Sequence, residues 1–139
     1  MNHAADCIFC RIVQGAIPSV TLYSDDRVLA FLDIGPLSEG HTLIIPKNHY
    51  VTLDEMTAED AAACMAIAPR LAKAIMKATG ATAYNLLQNN GRAAHQLVMH
   101  VHFHIIPKTD TGGLGVHWPA GQIDKSRAAE IQRMITAAM

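Results

Sequence analysis

Long apolar runs are missing from this chain: its apolar stretches are short and broken by charge or proline, so none suits a bilayer span. No basic stretch followed by an apolar one opens it, so secretion is not expected and a cytoplasmic location is. Cysteine is scarce, with only Cys7, Cys10 and Cys64 present, which fits a reducing compartment better than a disulfide framework. Neither sign of charge is in excess. A formal net charge of −1 supplies no overall attraction to nucleic acid or an anionic membrane, so any recognition of phosphate has to be local. Nor are the few aromatics interleaved with basic residues as nucleic-acid binding requires. Half of the 139 residues are apolar and only 17% are charged, which excludes a disordered chain and suits one domain with a sizeable core. Histidine, by contrast, is plentiful: there are eight, and three fall within five residues.

Periodicity and punctuation predict the elements. Cys7 to Val13 reads as a short helix, broken by Gln14-Gly15-Ala16-Ile17-Pro18. Thr21 to Ser24 and Arg27 to Asp33 read as a hairpin around Asp25-Asp26, and Ile34 to Gly40 as a loop. His41 to Ile45 is a β-type run ended by Pro46. Thr57-Ala-Glu-Asp60 has the form of a helix N-cap with acidic residues in the first turn. It opens the longest helix, Ala61 to Ala78, which Pro69 is expected to kink or break early and Gly80 to end. Ala83 to Gln88 predicts a strand, Asn89-Asn90-Gly91 a turn, and Val98 to Ile106 a longer strand stopped by Pro107. Thr111 to Gly121 is irregular and Asp124 to Ala138 a terminal helix. Strands cluster on either side of one long helix without strict alternation, so an α+β class with an antiparallel sheet is expected, in one domain spanning 1–139. His41-Thr-Leu-Ile-Ile-Pro-Lys47 and His102-Phe-His-Ile-Ile-Pro-Lys108 echo each other, as two similar strand ends would.

His100-Val101-His102-Phe103-His104-Ile105 alternates polar and apolar residues. In a strand this places all three imidazoles on one face and Val101, Phe103 and Ile105 in the core. Three readings follow: a hydrogen-bonded polar face, a three-histidine metal site, or nucleophilic catalysis in which one imidazole attacks and its neighbours orient or protonate. Three histidines in register argue against the first. The segment by itself does not separate the other two.

Gln96-Leu-Val-Met-His-Val-His-Phe-His-Ile-Ile-Pro107 closely resembles the signature of the histidine-triad (HIT) superfamily. Ala30-Phe-Leu-Asp-Ile-Gly-Pro-Leu-Ser-Glu-Gly-His-Thr-Leu-Ile-Ile-Pro-Lys47 is similar to its other landmark, an Asp, a Pro and a His ahead of an apolar strand. Cys7-Ile-Phe-Cys-Arg-Ile12 resembles the start of many bacterial members, and Asn89-Asn90-Gly91 the polar turn before the triad. These landmarks cover residues 7 to about 119, leaving 120–139 as a helical tail. The resemblance implies a HIT-like α+β fold: an antiparallel sheet of about five strands with one long helix and a short N-terminal helix.

By that resemblance His102 is the nucleophile on the α-phosphorus of a purine nucleotide, forming a nucleotidyl-imidazole that water then resolves. His104 is expected to contact the phosphate or leaving group, and His41 to support the nucleophile; alone, His41 also reads as a turn cap. Asp33 corresponds to the residue that holds the ribose hydroxyls, although turn chemistry before Gly35-Pro36 is the plainer reading. Asn89 corresponds to a phosphate donor, and Gln96 to a residue of the phosphate-binding loop, whose amides cradle the anion. Two positions depart from the pattern. Leu97 stands where Ser or Thr is frequent and has no hydroxyl to offer phosphate; His95 stands where Gly is common, so the loop backbone is expected to differ locally.

Cys7 and Cys10 form a C-x-x-C pair, which alone reads equally as a redox pair or two small buried residues. The resemblance adds His49 and His100, making a Cys2His2 set suited to structural zinc, with a metal-free thiol pair as the alternative. Cys64 is expected in the core. No organic cofactor is implied. Gly113-Leu-Gly-Val-His-Trp-Pro119 resembles the tail of the nucleoside-phosphoramidase (Hint-like) branch, in which the Trp lies near the partner subunit's active site. The implied protein is a homodimer, which protects sheet edges, and Trp118 a nucleotide-site residue or, in the plainer reading, an aromatic plug. The implied activity is hydrolysis of purine nucleoside phosphoramidates or adenylated amines to AMP. Cleavage of dinucleoside polyphosphates by the same chemistry is the runner-up, and a nucleotide-binding regulator with little turnover the third.

Overall fold

The computed structural model describes residues 1–139. Helix α1 (Ile8–Val13) leads into strands β1 (Thr21–Ser24), β2 (Val28–Leu32) and β3 (Thr42–Pro46). Helix α2 (Ala58–Thr79), β4 (Ala83–Gln88), β5 (Phe103–Lys108) and α3 (Lys125–Ala138) follow, with 3-10 turns at Leu53–Glu55 and Arg92–Ala94. All neighbouring strands are antiparallel, in the order β1-β2-β3-β5-β4. This is the α+β sheet of five strands that the sequence predicts.

Side chains alternating along each strand sort into two cores, as a pleated sheet requires. On one face Val28, Ala30, Ile44, Val101, Phe103 and Ile105 meet Cys64, Ile67, Ala68, Leu71, Ala72 and Ile75 of α2. On the other, Leu29, Phe31, Leu43 and Ile45 meet Phe9 of α1. Thr57 caps α2 by accepting the Asp60 N–H (3.2 Å). Gly80 ends it at φ +72°, a conformation glycine adopts without steric cost.

Of the two outcomes expected at Pro69, the early break does not occur: the helix runs through it for 22 residues. Pro69 is exposed while Ile67, Ala68, Leu71 and Ala72 around it are buried. Packing of that face outweighs one missing hydrogen bond. The prolines at 46 and 107 likewise lie inside strands rather than beyond them. Pairing between β3 and β5 covers only Thr42–Ile44 against Phe103–Ile105, so each proline sits where its strand has a partner on one side only. The sequence echo therefore describes the central pair of strands, related by a local two-fold relation in register: Thr42 faces Ile105 and Ile44 faces Phe103.

The last strand starts at Phe103, not at Val98. Residues 98–102 are irregular because their amides bond elsewhere: His100 N–H to Val98 O and Val101 N–H to Tyr50 O. That shift changes what the three histidines can do.

Candidate active site: an imidazole-lined cavity beside a Cys2His2 cluster

Cross-strand register builds the floor of the site. Phe31 pairs with Leu43, Leu43 with His104, and His104 with Leu87, giving one row across β2, β3, β5 and β4 on the α1 face. Over this row lies a cavity of about 560 Å³. Ile8, Phe9, Ile12, Ile17 and Pro18 wall it with hydrocarbon, while Asp33, His41, Asn89, His95, His102 and His104 supply the polar lining. A slot with apolar walls and a few convergent polar groups suits a ligand with a flat apolar part and a charged end.

The hydrogen bonds assign a tautomer to each ring. His102 Nδ1 lies 2.7 Å from the His100 carbonyl, which can only accept, so Nδ1 carries the proton and Nε2 its lone pair. Leu37 donates its N–H to His41 Nδ1 (3.1 Å), so His41 Nε2 carries the proton and gives it to His104 Nδ1 (2.8 Å). His104 therefore presents an Nε2–H donor. One free lone pair and one free N–H thus belong to neighbouring rings whose centroids are 4.8 Å apart. Burial disfavours the charged form of these three rings: His41 and His102 are lowered, and His104 is pushed down to about 4 by burial, with His102 and His41 adding to it. At neutral pH the nucleophile candidate is unprotonated.

His41 arrives from a tight place. Gly40 has φ +83°, and a Cβ there would stand 2.8 Å from Thr79 Cγ2 and 3.1 Å from Ile75 Cγ2. Only glycine lets the chain cross the end of α2 and deliver His41 to the floor. His41 was expected to support His102; its hydrogen bond goes to His104 instead. Asp33 makes the turn contact and also borders the cavity. Oδ1 accepts the Gly35 N–H (2.8 Å) in a turn, and Oδ2 lies 3.5 Å from His41 Nε2 at the cavity.

His100 is absent from this lining, which corrects the expectation of three imidazoles on one surface. It is fully buried, and its Nε2 donates to the Pro46 carbonyl (2.9 Å), leaving the Nδ1 lone pair free. That atom lies 3.5 Å from Cys7 Sγ, 3.6 Å from Cys10 Sγ and 3.3 Å from His49 Nδ1. Cys10 Sγ and His49 Nδ1 are 3.4 Å apart. These four residues form a possible metal site. Burial pushes His100 down to about 4, keeping it in the neutral form a metal needs.

Gln96 and Trp118 lie outside the cavity. Gln96 is completely buried, and both ends of its amide are engaged: Nε2–H with Val51 O (2.6 Å) and Oε1 with Gly91 N–H (2.7 Å). It staples the loop and, with no exposed surface, does not face the cavity. Trp118 is 81% exposed and does not reach the site within one chain. Asn89 lines the cavity and donates to the His95 carbonyl (3.4 Å). His95 takes the left-handed conformation, φ +67° and ψ +30°, that glycine adopts without strain.

Two contributors escaped the sequence reading. Phe9 stands edge-on to both His100 (5.8 Å) and His102 (5.2 Å), between the cluster and the cavity; its place between the two cysteines was the available signal. Asp60, read as a first-turn carboxylate, is buried and accepts from Arg27 (2.6 Å), Asn48 (2.9 Å) and Tyr50 (2.7 Å). The last two flank His49, so Asp60 fixes the loop that carries it. No sequence period announces that.

Fold and site together define an α+β domain with a histidine pair poised for nucleophilic and donor work over an apolar slot. The HIT domain model matches residues 14–111, and the chain belongs to the HIT family. It is 55% identical over 115 residues to the adenosine 5'-monophosphoramidase of Schizosaccharomyces pombe, covering 82% of this chain and 84% of that one. It is 50% identical over 105 residues to an adenylylsulfatase of Arabidopsis thaliana, covering 76% of this chain and 53% of the longer relative. A HIT family protein from Bacillus anthracis superposes with a TM-score of 0.94 at 37% identity, over 99% of each chain. A Zn-bound histidine triad family protein from Mycobacterium smegmatis superposes with a TM-score of 0.72 at 32% identity, over 96% of this chain and 98% of the other.

Proposed function

We propose that this protein hydrolyses AMP-linked compounds at the α-phosphorus, adenosine phosphoramidates and adenylated amines foremost, through a covalent adenylyl-His102. The observation that carries this reading is the His102 Nδ1 bond to the His100 carbonyl, which leaves Nε2 with a free lone pair on a ring that burial keeps neutral. Nε2 attacks the α-phosphorus, and the bond to the leaving amine breaks with its electron pair going to the amine. The departing amine takes its proton from solvent, while His104 Nε2–H, kept in that tautomer by His41, hydrogen-bonds the leaving group. Water then attacks, its proton passing to solvent, and AMP is released as the P–Nε2 bond breaks and the His102 lone pair is restored. Asp33 Oδ2 is the acceptor for the ribose hydroxyls and Asn89 a donor to the phosphate. The apolar walls take the base.

Zinc is the ion that the Cys7, Cys10, His49 and His100 set fits. Metal–ligand lengths of about 2.0–2.1 Å to nitrogen and about 2.3 Å to sulfur put tetrahedral neighbours about 3.3–3.8 Å apart. The contacts recorded among these donors, 3.3 to 3.6 Å, fall in that range. The Pro46 carbonyl orients His100 as outer-shell partners do. Bound there, zinc braces residues 98–102, including the carbonyl that sets the His102 tautomer. Reduced cysteines in that set agree with a cytoplasmic location. A homodimer is supported by the edge strand β4, with Tyr84 and Leu86 half exposed, and by the exposure of Trp118.

Intact-mass analysis after brief incubation with adenosine phosphoramidate tests the reading. The expected result is one added adenylyl group that survives a chelator and is lost in His102→Ala. Turnover that stops on chelation with no adduct would mean a metal hydrolase instead.

A further inference from the structure

His95 is the only non-glycine residue with a positive φ in the chain. The loop forces this conformation. Gln96 N–H bonds back to Gly91 O (3.1 Å), Gly91 N–H to Gln96 Oε1 (2.7 Å), and Gln96 Nε2–H to Val51 O (2.6 Å). His95 N–H closes on Arg92 O (3.0 Å). Pinned at Gly91 and Gln96, the chain reaches residue 95 in the left-handed region, where glycine is free of strain and a residue with a Cβ is not. The imidazole held there forms no hydrogen bond within the chain, is exposed, and borders the cavity beside Leu97, Asn89 and His104. Strain kept at a cavity wall points to use of the side chain.

Its neighbours sharpen the point. Leu97 is 71% exposed at the same wall and offers only hydrocarbon. Asn89 gives one amide N–H to the His95 carbonyl and keeps the other for the phosphate. His95 thus adds an uncommitted imidazole to the loop side of the cavity, which it lines together with His102 and His104. We infer that His95 is a specificity-determining residue that hydrogen-bonds leaving groups carrying anionic oxygens, sulfate or phosphate, and so favours them over neutral amines. The inference rests on the hydrolase reading above for the position of the leaving group.

The test compares adenylyl sulfate with adenosine phosphoramidate, which share the adenylyl part, in wild type, His95→Gly and His95→Asn. His95→Gly relieves the backbone, so its thermal midpoint is expected at or above that of wild type. Its kcat/KM should fall about tenfold on adenylyl sulfate, what one charge-assisted hydrogen bond supplies, and less than about twofold on the phosphoramidate. His95→Asn tolerates the left-handed conformation and keeps a donor, so it should recover part of the loss. An unchanged ratio between the two substrates in His95→Gly would overturn the inference, as would equal losses on both. Equilibrium binding of the same two compounds to His102→Ala, with and without His95→Gly, tests the contact without turnover. A missing adduct in wild type then counts against the hydrolase reading alone, while an unchanged binding ratio counts against His95.

Discussion

His100 and His102 are two residues apart and both pack on the edge of Phe9, yet they serve opposite sides of it. His100 gives its Nε2 proton to the Pro46 carbonyl and points its Nδ1 lone pair at two thiols and His49. His102 gives its Nδ1 proton to the His100 carbonyl and keeps its Nε2 lone pair for the cavity. Nothing intrinsic to imidazole distinguishes them. Backbone carbonyls, which can only accept, decide which nitrogen is left free, and that nitrogen decides the role. One cluster is closed and built for permanence; the other is open and built for turnover.

The largest effect expected is chemical and confined to the cavity. His102→Ala should lower kcat/KM by on the order of 10⁴-fold or more while the protein keeps its fold, since the nucleophile has no substitute. Steady-state rates and a melting curve of the same sample check both halves. A loss of folding that matches the loss of rate would erase the distinction between the two regions.

The converse disruption attacks the closed cluster. Cys10→Ala, or a strong chelator, should cost about 4 kcal/mol of stability or more, on the order of 10 °C in melting temperature. The adenylyl adduct on His102 should still form below the new transition. Chelator should add nothing to Cys10→Ala.

Next in size is the relay behind His104. His41→Phe fills the space but cannot hydrogen-bond, so the His104 tautomer is no longer set, and kcat should fall about 10²-fold with KM little changed. A change in KM alone would make His41 a packing residue.

The smallest effect is on stability against pH. Burial first, then His102 and His41, push His104 from 6.5 down to about 4. The unfolded chain binds that proton more readily, so its contribution is full above pH 6.5 and drains away as pH falls through about 4. Urea midpoints across that window should fall less steeply in His104→Asn than in wild type. Equal slopes would show that His104 is not held neutral by the fold.

Much of this was legible beforehand. Turn residues and alternation located all five strands to within a few residues, apart from the start of β5, because strand formers, Gly and Pro act through local sterics. The cysteine pair with His49 and His100 was assembled from family spacing, and the fold brings those four together. Errors arose where a distant partner overrode the local rule. Val98 to His102 reads as the start of a strand, but Val101 N–H is taken by Tyr50 O, far away in sequence. Pro69 should interrupt a helix, but the buried face around it keeps α2 continuous. Gln96 belongs to the loop before the triad, yet its amide is consumed by Gly91 and Val51.

What the sequence determined by itself is therefore the set of elements, their two-sided apolar pattern, and the stock of imidazole and thiol groups, since these depend on local conformation and periodicity. Tertiary structure decided which of the histidines meet and which nitrogen of each is free. Those outcomes depend on the carbonyls of Pro46 and His100 and the amide of Leu37, groups that every residue carries and that only folding aims.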